Sequence, residues 1–296
     1  MASVPSCPYS VITDRIIELL ERGVVPWRRP WAGGEPPRNL ASGRHYRGIN
    51  TFMLAVSGYA SPWWVTFNQA KQRGGHVRKG EQSTPVVFWK WLEVEDRDTP
   101  GKLKRVPFLR YFRVFNVEQC ENVAAPAVGS ATGHSGFSAI EAAENVVQTM
   151  PKPPRIVTGE PRAWYQPRTD TVNMPARELF ADGEGYYVTL FHELAHSTGH
   201  ESRLNRPGIA DLAAFGSQTY SREELIAEMG AAYLAGACGI VQQTIENAAS
   251  YIAGWLKRLK DDRKLIVIAA AQAQKAADFI LGKPGPDTDE NADTGQ

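Results

Sequence analysis

The sequence predicts an α+β protein in two domains, and three observations carry that prediction. Strand-like runs rich in Val, Phe, Tyr and Trp fill 84–94 and 105–117, whereas most of the second half has apolar stripes of helical period. Between the two patterns lies Ala124-Ala125-Pro126-Ala127-Val128-Gly129-Ser130-Ala131-Thr132-Gly133, small and loop-prone, with the composition of a linker. Charge also divides there. Residues 1–125 hold 18 Lys and Arg against 11 Asp and Glu, whereas residues 126–296 hold 15 against 21, so a net charge of +1 hides one basic and one acidic half. The predicted division is a small α+β domain over 1–122, a linker over 123–138, a second domain over 139–282 and a disordered acidic tail over 283–296.

Several classes are excluded at this level. No run of 18 apolar residues exists, so no membrane span is expected. The N-terminus lacks the basic-then-apolar layout of a secretion signal. Cys7, Cys120 and Cys238 are odd in number and far apart, which argues against a disulfide framework and for a reducing cytoplasm. No C-x-x-C pair is present, so a cysteine zinc site is not expected.

Taken in order, residues 10–23 predict a helix with Val11, Ile12, Ile16, Leu19 and Leu20 on one face and Gly23 at its end. A Gly/Pro-rich loop follows Trp27-Arg28-Arg29-Pro30-Trp31. Thr51–Val56 is a short apolar helix, Trp63–Phe67 a strand or the approach to a helix, and Asn68–Arg73 a helix closed by Gly74-Gly75. Val77–Glu81 is a strand and turn. Thr84–Val94 and Arg105–Val117 are strands around a charged hairpin loop, with Val106, Phe108, Tyr111, Phe112, Val114 and Phe115 in the second. Beyond the linker, Ser138 caps a helix to Thr149, with Glu141 three residues on. Short strands are expected at Arg155–Val157, Ala163–Gln166 and Thr171–Met174, and helices near Ile245–Leu259 and Asp262–Leu281. Val172-Asn173-Met174-Pro175 is the candidate edge strand beside a bound peptide, or else a plain hairpin strand.

The chemistry concentrates in Tyr187-Val188-Thr189-Leu190-Phe191-His192-Glu193-Leu194-Ala195-His196, which contains H-E-x-x-H. On a helix, positions i and i+4 share a face, so His192 and His196 can aim two imidazoles at one ion. Glu193 is then placed as the general base toward water at that ion. Zinc is the default for this donor set, with other divalent transition metals as alternatives. Three fixed positions are a weak pattern alone. The apolar stripe of Tyr187, Leu190, Phe191, Leu194 and Ala195, and Gly199 at the helix end, give it a helical context.

A third ligand is needed. His200 follows the residue that ends the helix, and the longer H-E-x-x-H-x-x-G-x-x-H pattern fails at Ser202. The next strong helix starts at Ser221, where Ser221 and Glu224 form a capping-box pattern, and Glu224 and Glu228 lie four apart. Glutamate zincins use a ligand Glu followed four residues later by an acidic residue that orients a ligand His. Glu224 is therefore the first choice as ligand and Glu228 as its supporting residue, with the reverse left open. Tyr220, Tyr187 and His200 are candidates to stabilise an oxyanion.

Between Arg22 and Lys79 ten Lys and Arg face one acid, Glu35. Candidate nucleic-acid contacts are Arg28, Arg29, Arg44, Tyr46, Arg47, Lys71, Arg73, Arg78, Lys79, Trp27, Trp31 and Trp64, with Trp63 and Phe67 interleaved among them. Cations track phosphates and aromatic faces stack bases, which single strands expose and duplexes do not. For any one tryptophan, burial in a small core is the commoner fate.

Trp27-Arg28-Arg29-Pro30-Trp31, Tyr46-Arg47-Gly48-Ile49-Asn50, Gln69-Ala70 with Gly74-Gly75, Val77-Arg78-Lys79-Gly80-Glu81 and Tyr111-Phe112-Arg113-Val114-Phe115-Asn116-Val117 resemble the N-terminal domain of ArdC-type antirestriction proteins, which TraC-type plasmid primases share. His192–His200, Arg203-Leu204 and Glu224-Leu225-Ile226-Ala227-Glu228 resemble the metallopeptidase domain of the same proteins, and the likeness covers roughly residues 8–282. The resemblance implies a plasmid-encoded cytoplasmic protein that binds single-stranded DNA and helps incoming conjugative DNA escape restriction. With the motif, the expectation is a single-stranded DNA-binding domain followed by a zincin-like (gluzincin) metallopeptidase domain. Its partners would be single-stranded DNA and a protein substrate, with restriction-system subunits as candidates. Two alternatives stand beside it: a DNA-coating protein with a structural or inactive metal site, and a metal-dependent nuclease or primase accessory.

Overall fold

The computed structural model describes residues 7–28, 35–95, 103–127, 136–210, 218–240 and 249–284. Arg29 and Trp31, most of the predicted hairpin loop, the middle of the linker and the tail from 285 lie outside these residues.

In the N-terminal domain α1 (Pro8–Glu21) begins on a proline, whose missing N–H costs nothing in the first turn. Its face of Ile12, Ile16, Leu19 and Leu20 is buried, as the spacing predicts. Next come β1 (Arg38–Asn39), α2 (Ile49–Ala55), β2 (Trp63–Thr66), α3 (Phe67–Gln72), β3 (His76–Val77), β4 (Thr84–Glu95), β5 (Leu103–Asn116) and β6 (Cys120–Glu121). A four-stranded sheet runs in the order β1-β2-β5-β4, parallel only between β1 and β2, and β3 pairs with β6. Side chains alternate across this sheet. Val87 joins Leu109 and Tyr111 against α1, while Val86 and Val114 turn to the other face with Trp64 and Leu54. α3 leaves β2 through a complete capping box, Thr66 Oγ1 accepting from Gln69 N and Gln69 Oε1 from Thr66 N.

The C-terminal domain comprises α4 (Gly136–Thr149), β7 (Arg155–Thr158), β8 (Trp164–Gln166), β9 (Thr171–Met174), α5 (Gly183–Ser197), α6 (Pro207–Ala210), α7 (Gln218–Cys238), α8 (Ala249–Asp261) and α9 (Leu265–Ile280). Three expectations are corrected here. α4 starts at Gly136 and α7 at Gln218, so Ser138 and Ser221 lie inside their helices rather than capping them. β9 is the central strand of the order β7-β9-β8, parallel to β7 and antiparallel to β8. Its hydrogen bonds are used on both sides, so it cannot receive an added strand; β7 and β8 are the edges. All four β9 side chains are buried, Thr171 and Asn173 included, so the polar and apolar alternation of Thr171-Val172-Asn173-Met174 does not mark a solvent face.

The two domains share a continuous core. Ile12, Ile16, Trp27, Phe52 and Val87 pack with the buried faces of α5, α7, α8 and α9. Phe52 stacks on Tyr233 of α7 at 4.7 Å, and Trp27 meets Trp255 of α8 edge-on at 6.0 Å. Thr13 Oγ1 donates to Arg263 O at 2.6 Å, and Arg47 pairs with Asp278 of α9. Among the described residues no helix is long and apolar enough to cross a membrane.

Candidate metal centre

The centre is built on α5. Asp182 caps it by accepting from Gly185 N at 2.7 Å. Four residues advance the chain by about 40° beyond one full turn, so His192 and His196 stand on one side of the helix. Their Nε2 atoms are 3.1 Å apart. α7 crosses close by, because Gly230 has no side chain where a Cβ would stand 2.9 Å from the Ala195 Cβ. That approach delivers Glu224, with Oε2 3.7 Å from His192 Nε2 and Oε1 3.7 Å from His196 Nε2. Tetrahedral ligands about 2.0–2.1 Å from a zinc ion stand about 3.3–3.4 Å from one another. The observed spacings bracket that figure, and His192, His196 and Glu224 form the one potential metal-holding cluster among the described residues. Two imidazoles and a carboxylate are the donor set that suits a zinc-class ion, so the residues present fit the metal the zincin-like domain implies.

Glu193, next to the first histidine, is 8% exposed. Burial raises its carboxyl pKa, against the pull of His196 and His192, and Glu224 adds to the rise. A base raised toward neutrality is suited to take and return a proton. The Tyr165 N–H of the edge strand β8 is turned to the same carboxylate and partly offsets the rise. Burial would raise Glu224, but His192, His196 and a hydrogen bond from Tyr220 outweigh it and bring it to about 2, so it is an anion ready to ligate. Tyr220, pushed up to about 12 by burial and by that carboxylate, keeps its proton.

A buried acid and its arginine stand behind this set, although no hydrogen bond closes to the buried His196 Nδ1. Glu223 Oε1 lies 3.7 Å from His196 Nδ1, the nitrogen turned away from Glu224. Glu223 is itself paired with Arg206, and both are buried. The same guanidinium donates to Ala195 O at 2.8 Å and His196 O at 3.4 Å, satisfying carbonyls at the end of α5, and to the Thr198 hydroxyl at 2.6 Å. Gly199 makes room for it, since a Cβ there would stand 3.1 Å from the guanidinium and 2.6 Å from Ile209. Nearby Arg203 donates to Ser197 O at 2.7 Å and pairs with Asp170, tying the end of α5 to the sheet.

The structure redistributes other sequence candidates. Glu228, one turn beyond Glu224, accepts from Trp27 Nε1 at 2.8 Å and from the Tyr251 hydroxyl, and lies outside the cluster of His192, His196 and Glu224. Tyr187 is five residues from His192, about 140° around the helix. Its hydroxyl bonds Glu144 at 2.8 Å and Arg177 at 2.9 Å, away from the histidines. His200 bonds Ser202 at 2.8 Å on the turn after the helix. Of the aromatic candidates for nucleic acid, Trp27, Tyr46 and Trp64 are 2%, 7% and 1% exposed and serve as core. Arg47 and Arg78 are ion-paired with Asp278 and Glu81, and Arg28 lies over the Tyr251 ring at 4.1 Å. Arg44, Lys71, Arg73 and Lys79 are exposed.

Glu223, Arg206 and Tyr165 escaped the sequence reading. Glu223 had a signal, a second carboxylate beside Glu224, obscured because a four-residue step favoured Glu228. Arg206 and Tyr165 act through a guanidinium fork and a main-chain N–H brought in by tertiary packing, which no local spacing encodes.

Comparison with known proteins places both halves. Residues 8–115 match the model for the N-terminal domain of anti-restriction factor ArdC, and residues 141–272 that of a zincin-like metallopeptidase. Two Escherichia coli proteins named DNA primase TraC are each 36% identical over 95% and 94% of this chain, which spans only 28% and 20% of their lengths. The metal-free crystal structure of the antirestriction protein ArdC from plasmid R388 is 39% identical, with a TM-score of 0.72, covering 92% of this chain and 96% of that one. Its Mn(II)-bound structure is 37% identical, with a TM-score of 0.71, covering 96% and 99%. With both domains matched in order and a whole solved relative overlaid, the chain belongs to the ArdC antirestriction family.

Proposed function

We propose that this chain is a cytoplasmic antirestriction protein that binds single-stranded DNA and cleaves a protein substrate at a zinc-class site, so protecting incoming conjugative plasmid DNA. Restriction-system subunits are the candidate substrates. The observation that carries the catalytic part is a carboxylate without a ligand's position, Glu193, buried beside His192, His196 and Glu224. A structural site needs ligands only.

His192, His196 and Glu224 would hold zinc or another divalent transition metal, as the Mn(II)-bound relative does its own. When bound, the ion supplies Lewis acidity toward a peptide carbonyl and water. Glu193 takes the proton of the attacking water at its carboxylate and returns it to the leaving amine. Tyr220, protonated and bonded to Glu224, would turn its single O–H from that carboxylate toward the developing oxyanion. β8, an edge strand whose Tyr165 N–H is turned to Glu193, lies where an extended peptide would pass.

The test is protection of conjugating DNA in a restricting recipient by Glu193→Ala. General-base assistance contributes about 10²–10⁴-fold, so cleavage should vanish while metal and DNA binding stay. Loss of protection supports proteolysis as the working step. Retained protection with metal content intact would transfer the function to DNA coating.

A further inference from the structure

We infer that single-stranded DNA is gripped on the outer face of α3, with Phe67 as the base-stacking platform, Lys71 as the phosphate contact on that face and Arg73, at the end of the helix, as a further cation. The inference rests on the DNA-binding reading above and assigns it a place.

The buried state of Trp27, Tyr46 and Trp64 removes three aromatic platforms suggested by the sequence. Phe67 is 46% exposed, and it is the one aromatic among the exposed large apolar side chains of the described residues. Lys71, one helical turn on, holds its ammonium 5.1 Å from the centre of that ring. The ammonium lies over one face of a ring that is nearly half exposed, so a base stacks on the ring's exposed side or in place of the ammonium, which turns to the phosphate.

Charge supports the same face. No Asp or Glu occurs from residue 36 to residue 80. Acids that reach this stretch from elsewhere are engaged away from α3: Glu35 by Arg38, Glu81 by Arg78, Glu118 by Ser61 N, Glu121 by His76 and Asp278 by Arg47. Lys71 and Arg73 form no ion pair among the described residues. Arg73 spends one donor on Leu40 O at 2.9 Å and stays exposed.

The platform is also fixed in advance. The Thr66–Gln69 capping box sets the first turn of α3, and Asn39 Nδ2 donates to Gln69 Oε1 at 3.2 Å on the buried side. A ring held by a preset helix loses little freedom when a base stacks on it.

The experiment is fluorescence anisotropy of labelled oligo(dT) with the full chain. Phe67→Ala should weaken binding roughly 5- to 100-fold, the loss of one stacked base, with the salt slope unchanged. Phe67→Trp should restore it. Lys71→Gln should flatten the salt slope by about 0.7, the value of one phosphate contact on a single strand. Each variant should keep its metal content, since Phe67 and Lys71 are exposed and far in sequence from the ligands. Wild-type affinity in Phe67→Ala overturns this site. Absence of oligo(dT) binding by the wild-type chain overturns the DNA reading itself and this site with it.

Discussion

The Trp27 indole donates to the Glu228 carboxylate at 2.8 Å across 201 positions of sequence, and both groups also meet the Tyr251 hydroxyl. Trp27 is in the N-terminal domain, and Glu228 is one helical turn beyond Glu224 on α7. Trp27→Phe keeps an aromatic ring in the core at a smaller volume, which adds a packing loss, and leaves the carboxylate with Tyr251 alone. Removing a hydrogen bond to a charged, half-buried group costs about 1.5–3 kcal/mol. The expected result is a lower thermal midpoint with full metal content, read by calorimetry and by metal analysis of one preparation.

His192→Ala and Glu224→Gln should each abolish stoichiometric metal, because each removes one of three donors. Glu228→Gln should leave metal in place. Inductively coupled plasma measurements on the purified variants decide between the two glutamates. Metal lost from Glu228→Gln and kept by Glu224→Gln would reverse the assignment.

Glu223 stands 3.7 Å behind His196 and is bound to Arg206. Glu223→Gln should weaken metal binding about 10–100-fold, the usual effect of losing a group that orients a ligand histidine. Competition with a chelator measures it. Arg206→Met should do more harm, since it strands a buried carboxylate and uncaps α5, at about 3–5 kcal/mol.

Asp170 gives a pH signature. Burial would raise its carboxyl, but Arg203 and the Tyr165 hydroxyl outweigh burial and hold it below the ordinary aspartate range. A depressed folded pKa contributes stability that is present above the unfolded value and lost as pH falls through the folded one. The midpoint of the wild type should therefore drop on acidification below about pH 4. Asp170→Asn should melt lower at pH 7 and show less of that drop. Parallel melting curves with acid drops of equal size would exclude the contribution.

The elements best legible in the sequence are those with strong periodicity. α1, β9 and the run of α5 through His192 and His196 stand within a few residues of where spacing puts them. The motif also held in space, because two histidines on one helix face need only the helix to form. What spacing could not supply is partnership. Trp27, Tyr46 and Trp64 sit among arginines in sequence, yet their side chains turn inward, Trp27 against Trp255 and Tyr46 and Trp64 into the cluster with Leu54, Val86 and Val114. β9 is a strand in either reading, and only the fold decides that it is central. Glu228 faces as its register demands, but the element opposite is Trp27, more than two hundred residues earlier.

The continuous core has a consequence for inheritance. α1 and α2 complete their burial on α7, α8 and α9, so a gene encoding either part alone would yield a protein with a bare apolar flank. The two parts are thus one folding unit, and the sequence of either is expected to travel with that of the other. The TraC primases fit this rule, since they align with 95% and 94% of this chain rather than with one half of it.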